Sequence, residues 1–497
     1  MQLTASLAQN LEIIAHMTGG SDDTVISRLT VCGIPCALLS CEGMCSSAGI
    51  AEQIAEPLHQ LRGEFPDGAA LTAYLRRCRL LAADSAEAED TDSLLHYLHS
   101  GFAVLLADGA ASASVFGLQG YASRGISEPS GELNVYGAKE GFTEPIRTNM
   151  SLIRRRMKSP LLCFSMLTAG TVTQTDLCIV YLRDRVPEQL ISEIRAMLGD
   201  LPLESILSAG YVRPFLEGSD LRLIHSIGTT ERPDVFCAKL LEGRTGILID
   251  GTPFALVIPQ LFCETFQTLD DYNYPPAYAT LLRWIKYAAA LTALLLPAAY
   301  LAAALYHPEL LHETLLRVLT DSEQNTPFSL GAEMLGILFL FEIVREAGLR
   351  LPKAVGGAVG MIGGLLIGDA AVQSGLISTP VLTAAALSAT AGFVIPEHHA
   401  ALTVLRPAFI LAAAAAGIPG IALLGAALVH HICGTEVFGY PVSAPIAPLH
   451  PKRLRDIFAR IGFRRLSQGN FRVSEVSSAG RQYQQPVGRA DSRFPPA

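Results

Sequence analysis

At 497 residues the chain is longer than one hydrophobic core fills, which predicts more than one domain. Hydrophobic residues make up 50%, charged residues 17%, and the mean hydropathy is +0.35, too apolar for an ordinary soluble protein of this length. A net charge of −9 excludes the basic surface that a nucleic-acid partner needs, and the chain has no Walker-type loop, G-x-G-x-x-G or H-E-x-x-H.

The apolarity is concentrated in residues 281–450, and residues 1–280 read as an acidic, mixed soluble region. The opening MQLTASLAQNLEIIAHM lacks the basic and apolar regions of a signal peptide, so the soluble half is expected in the cytosol. SLAQNLEIIAHM predicts an amphipathic helix, and TVISRLTVCGIPCALLSC two strands around a turn at Gly33. Cys32, Cys36, Cys41 and Cys45 are enough thiolates for a tetrahedral metal site. Their spacing lacks C-x2-C knuckles, however, and the run reads as a buried strand with Cys as a small hydrophobe, so no metal or cofactor is expected. GFAVLLADGAASASVFGLQG predicts a hairpin closed at Asp108-Gly109, where positive φ is cheap. This first cytosolic α/β subdomain is assigned to residues 1–120, followed by a Gly/Pro/Ser-rich connector over 121–148.

A second cytosolic α/β subdomain is assigned to residues 149–275. SLIRRRMKSP predicts a basic helix, TDLCIVYLRD a strand, PEQLISEIRAMLGDL a helix, and RPDVFCAKLLEG a helix opened by Pro233. RTGILIDGTPFALVIP predicts another hairpin, around Asp250-Gly251. Strand, D-G, strand thus closes both blocks, which suggests two related subdomains.

A transmembrane helical domain is assigned to residues 281–435, since a span needs roughly 20 apolar residues. Residues 287–306 qualify, with Pro297 predicting a kink and Arg283, Trp284 and Lys286 read as an interface anchor. Residues 330–348, 354–374 and 379–396 follow, and Glu333 and Glu342 place carboxylates inside the first of these. The last stretch, 405–434, is overlong and broken at Gly417-Ile418-Pro419-Gly420, which fits two short legs or one kinked helix. Arg345, Arg350 and Lys353 mark one loop as inside, and Arg406 is assigned to the next inside position. The basic residues after 450 favour an even number of crossings, with the 436–497 tail cytosolic and disordered from about Ser467.

In the glycine-rich span, Gly356, Gly360, Gly364 and Gly368 form a small-xxx-small ridge for close helix packing. Ile362, Leu365, Asp369 and Gln373 share a neighbouring face, which fits identical helices packed around a lumen with Asp369 at its outer mouth. The competing reading has Asp369 capping the helix end in the headgroup zone. His398, His399, His430 and His431 lie at segment ends without a third ligand at helical spacing. Glu231, Arg232 and Asp234 open a helix, and no nucleophile, base and orienter stand together, so no catalytic residue is assigned.

EGFTEPIRTNMSLIRRR (140–156), TDLCIVYL (175–182), LSAGYV (207–212), TERPD (230–234) and LEGRTGILIDGTPFALVIP (241–259) occur in this order. LLPAAY (295–300), YHPEL (306–310), EIVREAGLRLP (342–352), GGLLIGDAAVQSGLIS (363–378) and FVIP (393–396) complete the series. Together they resemble the A-subunit family of bacterial spore germination receptors (GerA type), with Pro145 and Ile146 as departures from its pattern. The resemblance implies a multi-pass protein of the spore inner membrane working with a transporter-like, germinant-binding B-type subunit and a C-type lipoprotein. It also implies a homo-oligomer, a ring of A subunits that passes cations when germinant binds. Glu140, Glu144, Arg147, Arg154, Arg155 and Arg156 are then either contacts to a neighbouring subunit or a solvated basic helix with local salt bridges. A receptor-independent paralogue, a scaffold for the partner subunits and a lone secondary transporter remain as alternatives.

Overall fold

The computed structural model describes residues 2–78, 85–118, 120, 129, 131–132, 136–218, 222–310, 312–323, 326–351, 368–462, 464 and 472–476. It is an α/β soluble half followed by a bundle of apolar helices.

The soluble half holds two five-stranded antiparallel sheets built on one plan. The first orders β1 (Thr24–Val31), β2 (Ile34–Cys41), β4 (Phe102–Ala107), β5 (Ala113–Gly117) and β3 (Ser85–Ala88). The second repeats that order with β6 (Leu162–Ala169), β7 (Thr175–Leu182), β9 (Thr245–Ile249), β10 (Ala255–Ile258) and β8 (Gly228–Thr230). Side chains alternate across the pleat, and both faces are covered, which is why the central strands read as continuous apolar runs. In the first sheet Leu38, Ala103 and Leu105 face α2 (Gly68–Cys78), while Leu39, Val104 and Leu106 face α1 (Leu7–Thr18) and α3 (Thr91–Leu98). In the second, Cys178, Val180 and Leu248 face α4 (Ile146–Arg156) and α7 (Pro233–Leu241). Leu177, Ile179 and Ile247 face α5 (Glu188–Gly199) and α6 (Ala209–Glu217). Gly246 cannot carry a side chain, because its Cβ would lie 2.0 Å from the Phe236 ring.

The two halves share their anchors in atomic detail. Thr4 donates its N–H and hydroxyl to Asn10 Oδ1 at 2.9 and 3.0 Å, and Asn10 Nδ2 donates to Thr4 O at 2.7 Å. Thr143 and Asn149 make the same three bonds at 2.8, 3.2 and 2.6 Å. Each D-G turn then caps a helix: Asp108 accepts the Leu7 N–H and Asp250 the Ile146 N–H, both at 2.9 Å. A carboxylate at a helix N-terminus satisfies an orphan donor and complements the dipole.

Arginines of the second half reach into the first. Arg154 of α4 reaches Asp23 of the first half through Nε at 2.9 Å and Nη2 at 2.6 Å, and both side chains are buried. Arg183 of the second half donates to His16 O at the end of α1. Burial alone would raise the Asp23 carboxyl, but the Arg154 charge and hydrogen bonds from Ser21 and Cys41 outweigh it and hold Asp23 below its ordinary value.

In the bundle, α9 (Pro276–Tyr306) starts at the soluble half. At the seam, Arg283 of α9 is fully buried, so it is not the interface anchor read from the sequence. It bonds Asp271 of α8 (Asp270–Asn273) at 3.1 Å and Asp456, beyond the last helix, at 3.2 Å. Tyr272 donates to Asp456 at 2.6 Å and Arg460 to Tyr272 O at 3.1 Å, binding the same returning segment.

Pro297 removes a backbone N–H, so the Ala293 carbonyl one turn earlier loses its helical donor. Ser388 of α12 (Thr379–Phe393) supplies a hydroxyl at 2.7 Å, and Arg406 of α13 (His399–Gly434) supplies Nε at 2.8 Å. Arg406 Nη2 also reaches Ser388 O at 3.1 Å, in space open only because residue 392 is glycine. Arg406 therefore sits two turns inside the last helix, buried, rather than at the inside loop position assigned from sequence.

The break in α13 is a reversal. Gly417 has φ 61° and ψ −141°, and a Cβ on Gly420 would fall 2.2 Å from Ala412 O, eight residues back. Tyr306, at the far end of α9, bonds Ala414 O at 2.7 Å. His398 before the helix and Val442 after it both return to residues 262–265, bonding Thr265 at 2.7 Å and Phe262 at 2.8 Å. Val437, Phe438 and Tyr440 then bury in the second sheet's core. The other helices run to match. After α10 (Glu313–Glu323), α11 (Leu330–Arg350) begins at the far end, where a Cβ on Gly331 would meet Leu301 and Ala414, and brings Glu342 to His399.

Three outcomes are expected. Arg154→Met strands the Asp23 charge and costs about 3–5 kcal/mol, and pairing it with Asp23→Leu recovers most of that loss. The folded Asp23 value is the depressed one, so its contribution is complete above about pH 4 and is lost as pH falls through the folded value. Asp23→Asn flattens that acid limb in chemical unfolding of the detergent-purified chain. In the bundle, Arg406→Leu lowers stability by about 1–3 kcal/mol by removing the guanidinium bonds to Ala293 O and Ser388 O, leaving Ala293 O with the Ser388 hydroxyl alone. Pro297→Ala added to it restores a backbone donor to Ala293 O and recovers part of the loss in thermal melts.

Candidate functional site

The strip read as a possible subunit contact is largely engaged within the chain. Arg154 is sealed in by Asp23 and by the carbonyls of Ser159 and Leu162, and it lies 5.0 Å over the Phe164 ring. Arg147 pairs with Glu42 at 2.5 Å. Glu140 takes both Arg156 at 2.6 Å and Arg155 at 3.5 Å. Glu144 is exposed, and its carbonyl accepts the Gly251 N–H. Of the six, Glu144 and the half-exposed Arg147 present most surface outward.

In the glycine-rich segment, Gly356, Gly360, Ile362, Gly364 and Leu365 lie outside the described residues. Residues 368–373 are helical. Gly368 is buried, and a Cβ there would meet Leu382 of α12 at 3.5 Å. Asp369 and Gln373 are exposed, the amide donating to the carboxylate at 2.7 Å. One side of this helix end thus faces its own bundle, and the side next to it offers a carboxylate and an amide to whatever lies outside.

Other polar groups lie within the bundle. Glu333 of α11 is buried at the far end and accepts the Ser378 N–H at 2.9 Å, capping α12. At the near end, Glu342 receives Arg345 at 2.9 Å, Thr403 at 3.2 Å and His399 at 3.4 Å. Both glutamates were legible in the sequence, but not the partners that reach them from other helices, Ser378, His399 and Thr403, nor the joint role of Ser388 and Arg406. Pro297 was the available signal, because a proline inside a helix always frees the carbonyl four residues earlier.

The cysteines near the N-terminus are separate: Cys41 donates to Asp23, Cys45 to Gly101 O, and burial pushes the Cys36 and Cys45 thiols up to about 11. Among the described residues, no group of three or more His, Cys, Asp or Glu is placed to hold a metal ion. α9 and the 396–434 segment are long and apolar enough to cross a membrane, and α12 is apolar but shorter.

Comparison with known proteins gives the family. The family described as Bacillus/Clostridium GerA spore germination protein matches residues 12–469. Spore germination protein KA of Bacillus subtilis is 34% identical over 464 residues, covering 92% of this chain and 85% of that protein. The Bacillus subtilis membrane protein YfkQ is 32% identical over 465 residues, covering 92% and 89%. A crystal structure of the N-terminal domain of the A subunit of the Bacillus megaterium spore germinant receptor GerK3 shares 29% identity. It covers 53% of this chain and 98% of that domain, with a TM-score of 0.41. The ordered motifs thus have one source: the chain belongs to the GerA spore germination protein family.

Proposed function

We propose that this chain is the A-type membrane subunit of a spore nutrient germinant receptor, and that copies of it assemble into a germinant-gated cation path in the spore's inner membrane. The family supports the germination role, and relatives such as spore germination proteins KA and B1 of Bacillus subtilis are named as germination proteins. In this reading a B-type subunit binds the nutrient, a C-type lipoprotein completes the receptor, and binding shifts the assembly toward an open state. The soluble half is cytosolic, and the bundle's near end lies at the cytosolic face.

The exposed Asp369–Gln373 pair carries the ion-path reading. A helix whose buried glycine side packs on its own subunit leaves the carboxylate side for a lumen shared between copies. A ring of carboxylates at a pore mouth concentrates cations. Each leg of α13, of about 17 residues, is about 25 Å long, close to the hydrocarbon thickness, so the reversal at Gly417 fits two crossings. The chain then enters and leaves the membrane on the side of its soluble half.

The test uses spores carrying this chain as their A subunit. Asp369→Lys is expected to slow germinant-triggered release of monovalent cations about tenfold, and Asp369→Asn less, with the subunit's amount in the membrane unchanged. Wild-type release from both variants would contradict the ion path and leave a scaffold role.

A further inference from the structure

We propose that residues 276–286 of α9, together with Tyr136 of the connector, form a collar that docks into the headgroup–acyl boundary of the bilayer. The proposal rests on the reading of α9 as a membrane span. At 31 residues α9 is about 46 Å long, and residues 287–306 fill about 30 Å of it. About 16 Å of helix therefore stands on the side of the soluble half.

That stub has two faces. Ala279 and Arg283 are fully buried against the seam, where Arg283 is neutralised by Asp271 and Asp456. Tyr278, Leu281, Trp284 and Ile285 fall in an arc of about 120° on the other side. They are 48%, 53%, 59% and 47% exposed. The arc carries no charge, since the one cation between its members is turned inward. Tyr136, 57% exposed, extends the surface off the helix: its ring meets Tyr274 edge-on at 5.6 Å, and Tyr274 meets Tyr278 at 5.1 Å.

The composition selects the occupant. Tyrosine and tryptophan combine an apolar body with a polar tip, the chemistry favoured at the membrane–water boundary, and uncharged aliphatic side chains between them suit the upper acyl region. Trp284 donates its indole N–H to Phe458 O at 2.8 Å, so its ring is held in place rather than free to rotate into water. The arc also runs without a break into residues 287–306, so the lipid around the span continues onto it. A second copy of the chain would instead have to displace lipid from that continuous face. Docking would hold the connector, and with it both soluble halves, against the membrane surface.

Trp284 is the sole tryptophan of the chain, so its emission reports the collar directly. The full-length chain is reconstituted in phosphatidylcholine vesicles, with bromine placed either high or low on the acyl chains. The shallow label is expected to quench emission about twofold, the deep label less, and aqueous acrylamide weakly. Tyr136→Trp in a Trp284→Phe background is expected to give the same order, which a helix-only contact would not. Strong acrylamide quenching without bromine quenching, in protein that floats with the vesicles, overturns the proposal. Burial that appears only at high protein-to-lipid ratio overturns it in favour of a second copy. Protein that fails to float contradicts the membrane reading itself and removes the proposal with it.

Discussion

The architecture depends on one buried guanidinium. Arg283 sits where the soluble half meets the first long helix, and its charge is balanced by Asp271 just before that helix and by Asp456 near the other end of the chain. A charge so buried is tolerable only when paired, and removing one partner from such a site costs about 3–5 kcal/mol. The pairing therefore fixes where residue 456 must lie, and through it where the last helix must end. With Val437, Phe438 and Tyr440 inside the second sheet's core, the polypeptide is compelled to come back. Gly417 is where it turns, because only a residue without a side chain accepts both positive φ and the nearby Tyr306 ring.

A returning chain makes the bundle and the soluble half mechanically continuous. The second leg of α13 leads directly into the second sheet's core, and α9 holds the returning segment through Arg283 and Asp456. Inside the bundle, polar groups join helices to one another: Ser388 and Arg406 hold the carbonyl freed by Pro297, and Glu333 caps α12. Asp369 differs from them because it faces outward, which is why the ion path is assigned there rather than to the buried glutamates. In the proposed reading, these ties join the soluble half to the bundle through which cations would pass.

Features governed by local rules were legible in the sequence. Two-sided burial makes the middles of β2, β4, β7 and β9 apolar, and D-G needs positive φ, so strands and hairpins could be placed from their residues. The shared D-G device pointed to the common plan that the strand order and the Thr4–Asn10 and Thr143–Asn149 anchors now display. Long-range partners of charges were not legible. Arg154 looks like part of a solvated basic helix, yet its partner is 131 residues away. Arg283 looks like an interface anchor and Arg406 like a loop marker, because a charge's burial depends on segments far off in sequence. The legs of α13 stayed ambiguous for the same reason: a Gly-Ile-Pro-Gly break permits a kink or a reversal, and only the docking of residues 437–440 decides between them.

The most direct test of this account is the sidedness of the last helix. Cys433 is exposed near its end, on the side of the soluble half, while Asp369 lies at the opposite end of the bundle. Membrane vesicles of defined orientation, treated with an impermeant thiol reagent and read by peptide mass spectrometry, compare native Cys433 with a cysteine introduced by Asp369→Cys. The account predicts labelling of Cys433 only from the face that bears the soluble half, and of position 369 only from the other. Labelling of both from one face would contradict it.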